Sequence, residues 1–325
     1  MNILLVCPFL DKLTGDSIFY TLVKEHRVAP FDQRVIAEKF GIERMNRKLL
    51  EDCNNLDPEL VLIIKGAEIK PVTLRLLKLK RKVAIWNLDV TTFGKKLPES
   101  KYLEHIKNCN YFFTAVKGFV PELKKTNPNT FYLPQGCDPV KNKPSVFNNY
   151  QKKVFGSDVS FIGNIGFELF HPGRMELLEY IIDNGFDLKI FGNFFDESKI
   201  SEKLKKHHTN FSVKNEFFST TCGASKIVIG IDAHPEIELA NSVKLYRVLC
   251  AGGFYLTNRT AGLDKIFKDK VHLVYYDNKT DLIEKIIYYL THEEERKKIA
   301  ETGREEVLKH TYERSLKELI EIVTD

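Results

Sequence analysis

Eleven short apolar runs, each four to six residues long and rich in β-branched or aromatic side chains, alternate along this chain with longer amphipathic stretches. That alternation constrains the fold more than any other feature. A run that is apolar at consecutive positions buries both faces of its strand, as in parallel sheets, and parallel strands need crossover connections that helices supply. In the first half the runs are Asn2–Cys7, Arg27–Phe31, Leu60–Lys65, Val83–Asn87, Tyr111–Ala115 and Thr130–Leu133. In the second half they are Asp158–Ile162, Leu188–Phe191, Lys226–Ile231, Phe254–Thr257 and His272–Tyr276. Helices are expected over Gln33–Asp52, capped by Asp32, and over Pro71–Lys80. Two more are expected over Pro172–Asn184, closed by Gly185, and Ser242–Ala251, closed by Gly252 and Gly253. The pattern predicts an α/β chain with two doubly wound sheets in tandem.

With 325 residues the chain is longer than one core usually holds. We expect a first domain over 1–140, a polar linker over 141–157, a second domain over 158–309, and a C-terminal helix over 310–325 with Leu316, Leu319, Ile320 and Val323 on one face. Two such domains predict a cleft between the carboxyl ends of their strands, where open α/β sheets bind ligands. Hydrophobic residues at 43% and charged residues at 29% exclude disorder and coiled coil. The six cysteines are scattered without a Cys-x-x-Cys pair, so they read as reduced thiols and signal no metal site. The N-terminal MNILLVCPFL lacks a basic lead and fits a buried strand; no apolar stretch reaches the ~20 residues of a membrane helix, and a cytoplasmic location is expected. Residues 1–150 carry 24 Lys+Arg against 16 Asp+Glu, whereas residues 151–325 carry 25 against 28, so the net charge of +5 comes from the first half.

Two segments point to anion chemistry. The turn Phe161-Ile-Gly-Asn-Ile-Gly166 ends a strand and leads to Arg174; glycines there let backbone N–H groups approach a phosphate and the arginine supplies a fork of donors, although a tight turn alone also explains glycine. Further on, a strand ends near Asp232, a polar loop carries His234, and a helix opens near Ser242 with Lys244 in its first turn. A cation there opposes the helix dipole, which a bound diphosphate would justify and a solvent-seeking lysine would merely tolerate.

The run Ser242-Val-Lys-Leu-Tyr-Arg-Val-Leu-Cys-Ala-Gly-Gly-Phe-Tyr-Leu-Thr257 resembles the R-x-F-E-A-L-A-C-G-G-F-x-L-T signature of spore-maturation-protein-like glycosyltransferases (glycosyl transferase group 1) of the GT-B fold. Asp158-Val-Ser-Phe-Ile-Gly163 resembles that family's D-V-S-F-V-G, Trp86-Asn-Leu-Asp89 its W-N-x-D, and Leu133-Pro-Gln-Gly-Cys-Asp-Pro139 its L-P-x-G-x-D-P. Arg296–Gly303 and His310-Thr-Tyr312 resemble R-x-x-I-A-x-x-G and H-T-Y, so the likeness spans almost the whole chain. The resemblance implies two Rossmann-like domains facing across a cleft, the first holding an acceptor and the second a nucleotide-diphosphate sugar, with the C-terminal helices crossing back to the first domain. It places Gly163, Asn164, Arg174, Ser242, Val243, Lys244, Tyr246 and Arg247 at the donor, with Lys244 standing for the signature arginine. Arg247 stands where the family has the glutamate that would bind the ribose, and a donor-only guanidinium cannot accept ribose hydroxyls. Either Arg247 meets a phosphate, or the ribose contact moves to Glu236 or Glu238, or activity is lost.

Glycosyl transfer needs a neutralised leaving diphosphate, an aimed hydroxyl and a destination for its proton. Lys244, Arg247 and Arg174 are the candidates for the first, and no Asp-x-Asp loop calls for a metal, so a metal-independent transferase without cofactor is expected. Asp89 is the first candidate base, with Asp232 and His234 as others; Gly15, Asp16 and Lys65 are acceptor-side candidates, Asp16 serving equally as a helix cap. The basic cluster Lys78, Lys80, Arg81 and Lys82, with Lys95, Lys96, Lys124 and Lys125, fits either a solvated face or attraction of an anionic acceptor: a glycan, a lipid-linked acceptor, or DNA bearing hydroxymethylated bases. A nucleotide-sugar epimerase and a non-catalytic nucleotide- or glycan-binding protein are the competing readings, and oligomeric state is not encoded in these features.

Overall fold

A computed structural model describes residues 1–9, 13–89, 100–166 and 171–325; Lys95 and Lys96 lie outside the described residues. The chain forms two compact units, Met1–Gln135 together with Tyr312–Asp325, and Gly136–Thr311.

The first unit is built on strands β1 (Asn2–Val6), β2 (Arg27–Phe31), β3 (Leu60–Ile64), β4 (Lys82–Asn87), β5 (Tyr111–Thr114) and β6 (Thr130–Tyr132), in the order β2-β1-β3-β4-β5-β6. The second is built on β7 (Val159–Ile162), β8 (Leu188–Phe191), β9 (Ile227–Gly230), β10 (Tyr255–Asn258) and β11 (Val274–Tyr276), in the order β11-β10-β9-β7-β8. Every pairing between these strands is parallel. All eleven expected runs form strands, with ends shifted by at most two residues. Strand order reverses between β1 and β3 in the first sheet and between β7 and β9 in the second, and the carboxyl ends at those points are where such sheets bind ligands.

The helix expected over Gln33–Asp52 is two helices, Gln33–Phe40 and Ile42–Leu56. Gly41 sits between them at φ 85°, a backbone open mainly to glycine; its N–H caps the first helix on the Ala37 carbonyl, and its own carbonyl accepts the Met45 N–H to start the second. The polar stretch 141–157 contains a helix, Asn149–Phe155, opened by a capping box in which Asn148 and Gln151 exchange side-chain and backbone hydrogen bonds.

One face of the first sheet packs Leu4, Val6, Val61, Ile63 and Phe112 against Met45, Leu49 and Leu74. The other face packs Leu5, Leu62, Trp86 and Phe113 against the C-terminal helix Tyr312–Thr324, through Tyr312, Leu316, Leu319 and Val323. Trp86, fully buried, donates its Nε1–H to the Leu133 carbonyl at 3.2 Å and meets the Tyr312 ring edge-on at 6.3 Å. Leu319 is wholly buried in this cluster. Leu319→Ala should cost about 2–5 kcal/mol of unfolding free energy in urea titration, because the strands beneath it cannot collapse into the cavity; a change below about 0.5 kcal/mol would show that the helix is not part of this core.

Candidate functional site

At the second unit's switch point, β7 runs out into Gly163 and Asn164. The Gly163 N–H donates to the Phe191 carbonyl at 2.8 Å, and the Asn193 N–H donates to the Asn164 Oδ1 at 3.1 Å, so the turns after β7 and β8 are stitched together. Gly192 is required there: a Cβ on it would run into the Gly163 carbonyl. Arg174 opens the helix Arg174–Asp183 and is buried at 7% exposure. Its guanidinium donates to the Asn164 carbonyl at 2.9 Å and to the Ile231 carbonyl at 3.0 Å, which ties the ends of β7 and β9 to each other. The same group donates to Nδ1 of His171 at 2.9 Å. Arginine only donates, so this Nδ1 carries no proton. Burial, followed by the charges of Arg174, Lys244 and His234, pushes the His171 imidazole down to about 3.

The chain after β9 is fixed with equal care. The Asp232 N–H donates to Oδ1 of Asn258 at 2.8 Å while Asn258 Nδ2 donates to the Asp232 carbonyl at 3.1 Å, a two-bond clasp on the end of β10. Asp232 Oδ1 accepts the Ser242 N–H at 3.1 Å, and Ser242 Oγ accepts the Lys244 N–H as N-cap of the helix Val243–Cys250. The fold therefore delivers the Lys244 ammonium onto the Phe161 ring, 4.1 Å from its centroid, with the Arg174 guanidinium 5.3 Å from the same centroid. Gly163 leaves the room: a Cβ on it would lie 3.1 Å from Lys244 Nζ.

Lys244 is half-buried as a residue, with its ammonium packed on the Phe161 ring. Burial, reinforced by Arg174 and opposed by Asp232, pushes its pKa down to about 7. Burial also raises the Asp232 carboxyl above the usual carboxylate range, against the pull of Lys244. Among the described residues Oδ2 of Asp232 has no hydrogen-bond partner; neither has Nδ1 of His234, which is 96% buried and lies 3.5 Å from a Glu236 carboxylate oxygen. Two enclosed cations and a carboxylate short of partners make a site that gains by taking up an anion with hydroxyl or amide donors.

Sequence reasoning singled out Gly163, Asn164, Arg174, Asp232, His234, Ser242, Val243 and Lys244, and the fold gathers these at one sheet edge. The Asn164 side chain is committed to the neighbouring turn. Tyr246 points to the other side of its helix, buried edge-on against Phe267 at 6.0 Å, and belongs to the core. Arg247 follows Lys244 by one turn and is half-buried. His171, Phe161 and Asn258 were missed. His171 stands three residues before Arg174 at the helix start, a spacing that could have flagged it; Phe161 and Asn258 read as ordinary strand residues. A cavity of about 650 Å³ lies at the opposite, amino edge of this sheet, beside Asp158, Lys226 and Phe254, and touches none of the residues just named.

In the first unit, the acceptor-side candidates also collect at the carboxyl edge. Gly15, in the helix Leu13–Leu22, presses on the Pro8 carbonyl and Cys7 Sγ so closely that a Cβ would collide; Asp16 lies in that helix's first turn. Lys65 follows β3 in the left-handed region at φ 68°, with its N–H on the Trp86 carbonyl, and its ammonium pairs with the Asp89 carboxylate at 2.7 Å, both side chains 40% exposed. Lys82, in contrast, opens β4 at the amino edge, roughly 20 Å along the strand from Asp89. Lys78 and Lys82 donate to the carbonyls of Cys109 and Val323, and Arg81 pairs with Asp57. That cluster does not face Asp89 and Lys65. All six cysteines are free and buried, and among the described residues no helix is long and apolar enough to cross a membrane.

Because Lys244 titrates lower in the folded chain than in the unfolded one, the unfolded chain binds more protons between about pH 7 and 10.5 and stability should rise with pH across that window. NMR titration of labelled lysine side chains should show one midpoint near pH 7, absent in Lys244→Met; a Lys244 midpoint near that of exposed lysines contradicts the enclosure described above.

Residues 174–321 match the family model described as glycosyl transferase-like. Solved structures that resemble the chain include HepE of Anabaena in complex with UDP, at 9% identity, TM-score 0.68 and 100% coverage of both chains. Sucrose-phosphate synthase of Thermosynechococcus elongatus matches at 10% identity and TM-score 0.73, over 99% of this chain and 98% of that one. A glycosyltransferase from Rickettsia africae matches at 11% identity and TM-score 0.67, over 99% and 97%. No curated protein matches the sequence. The likenesses show the fold, which is GT-B, with two Rossmann-like α/β units.

Proposed function

We propose that the protein is a glycosyltransferase that moves a sugar from a nucleotide-diphosphate sugar to an acceptor hydroxyl, with the diphosphate bound in the second unit. One observation carries the proposal: Arg174 and Lys244 converge on Phe161 at the β7/β9 switch point, beside the first turn of the helix capped by Ser242. An arriving diphosphate meets two cations beside the first turn of the helix Val243–Cys250, at its positive dipole end. The match of residues 174–321 to a glycosyl transferase-like family and the UDP and UDP-glucose complexes of HepE support this reading.

In the proposed reaction the acceptor oxygen attacks the anomeric carbon, the bond from that carbon to the diphosphate oxygen breaks, and the leaving charge falls on Lys244 and Arg174. Those cations take the role a metal would otherwise fill. Arg247, one helix turn on from Lys244, serves a phosphate, and Glu236 or Glu238 serves the ribose. Asp232 and His234 serve the sugar through Oδ2 and Nδ1, which are buried without a hydrogen-bond partner among the described residues. Asp89 accepts the acceptor proton and Lys65 positions it through their 2.7 Å contact, with Gly15 and Asp16 beside them on the same sheet edge. The acceptor is an anionic glycan or lipid-linked molecule, in keeping with the surplus of eight cations over residues 1–150, and the reaction takes place in the cytoplasm.

Calorimetry should show UDP binding by the wild type, and Lys244→Ala should raise its Kd about 10- to 100-fold, since a buried charge-assisted contact is lost. Absence of binding at millimolar UDP, or an unchanged Kd in the variant, removes the phosphate site assigned here. Asp89→Asn should lower kcat by about 10²–10⁴-fold while leaving UDP affinity intact. The same turnover assay should be indifferent to EDTA, and loss of activity on chelation would refute the metal-independent scheme.

A further inference from the structure

The helix Pro71–Lys78 and its last turn present an apolar stripe that none of the proposed donor or acceptor contacts uses. Thr73, Leu74 and Leu77 face inward and are buried. Val72, Leu76 and Leu79 follow one another at i, i+4 and i+7 and form an outward stripe, exposed at 47%, 48% and 78%. Single exposed leucines are ordinary, but an apolar stripe on the solvent side of a helix is not. The surrounding charge is one-sided: residues 70–82 contain six cations and no carboxylate. Arg75, Lys78, Lys80 and Lys82 are exposed. Carboxylates from packed neighbours pair with two of the six, Asp57 with Arg81 and Glu43 with Lys70, while Glu104 is spent on Lys107; Arg75, Lys78, Lys80 and Lys82 remain as the exposed surplus. The bonds of Lys78 and Lys82 to backbone carbonyls orient those side chains without neutralising them.

We propose that this face docks on an anionic lipid surface, Val72, Leu76 and Leu79 entering the boundary between headgroups and acyl chains while the flanking cations meet lipid phosphates. The composition separates a lipid partner from a protein one. Residues 70–82 contain no aromatic residue and four of the six cations are lysine, whereas protein interfaces concentrate aromatic residues and arginine and are poor in lysine. A second copy bound through the same face would press four unpaired cations against four. The inference stands on this surface alone and is independent of whether the chain transfers sugar.

The full chain should co-sediment with phosphatidylcholine vesicles containing about 30 mol % phosphatidylglycerol, bind pure phosphatidylcholine vesicles at least about tenfold less, and be released as salt rises toward 1 M. Leu76→Glu with Leu79→Glu, and separately Arg75→Glu with Lys80→Glu, should each reduce binding about tenfold or more, at an unchanged thermal midpoint because all four side chains are exposed. Equal binding to neutral vesicles, no binding to either kind, or unchanged binding by both double variants would overturn the proposal. So would a dimer in sedimentation equilibrium that the leucine variant dissociates.

Discussion

The second unit depends on one buried guanidinium. Arg174 leaves solvent to hold two carbonyls that belong to different strands, Asn164 after β7 and Ile231 after β9, and it reaches both because its planar fork spreads several donors at fixed angles. These two strands flank the reversal in strand order, where no crossover helix covers the sheet edge and the gap must be held from within. A buried charge with a partner removed costs about 3–5 kcal/mol, so the bridge is either whole or ruinous. It also sets the protonation of its neighbour, since His171 can serve Arg174 only through a bare Nδ1.

The electrostatics of the site follow from the same enclosure. Lys244 is carried to Phe161 by a helix whose cap, Ser242, is itself fixed by Asp232, and Asp232 is fixed by Asn258 at the end of β10. Four elements thus converge on one ammonium before any ligand arrives. Desolvation weakens the charged form of both Lys244 and Asp232, and their mutual attraction only partly restores it. Holding both groups out of water costs stability, and their pairing returns only part of it.

The first unit is stabilised differently, by apolar contact on both faces of its sheet. Its second face is covered by the last residues of the chain, with Tyr312, Leu316, Leu319 and Val323 over Leu5, Leu62 and Trp86. Lys82 donates to the Val323 carbonyl, so part of the basic cluster also anchors that helix end. Charge that looked available for a distant anion is in part structural, while Leu76 and Leu79 beside it remain uncovered.

The sequence by itself determined the strands, their parallel sense and the two doubly wound sheets, because runs such as LVLII and NILLV have no polar face to present to water. It also marked the turn after β7 and the helix start at Ser242, where glycine and a capping serine have local physical reasons to stand. It could not show the break at Gly41, since one glycine in an amphipathic pattern is compatible with a continuous helix and only the backbone at φ 85° decides. Nor could it show which charges meet. Arg174, His171, Asp232 and Lys244 are spread over more than seventy positions, and their partnership, like that of Lys65 with Asp89, arises from which strands lie side by side. Hydrophobic periodicity is written residue by residue, whereas desolvation and pairing of charges depend on neighbours that only the folded chain supplies.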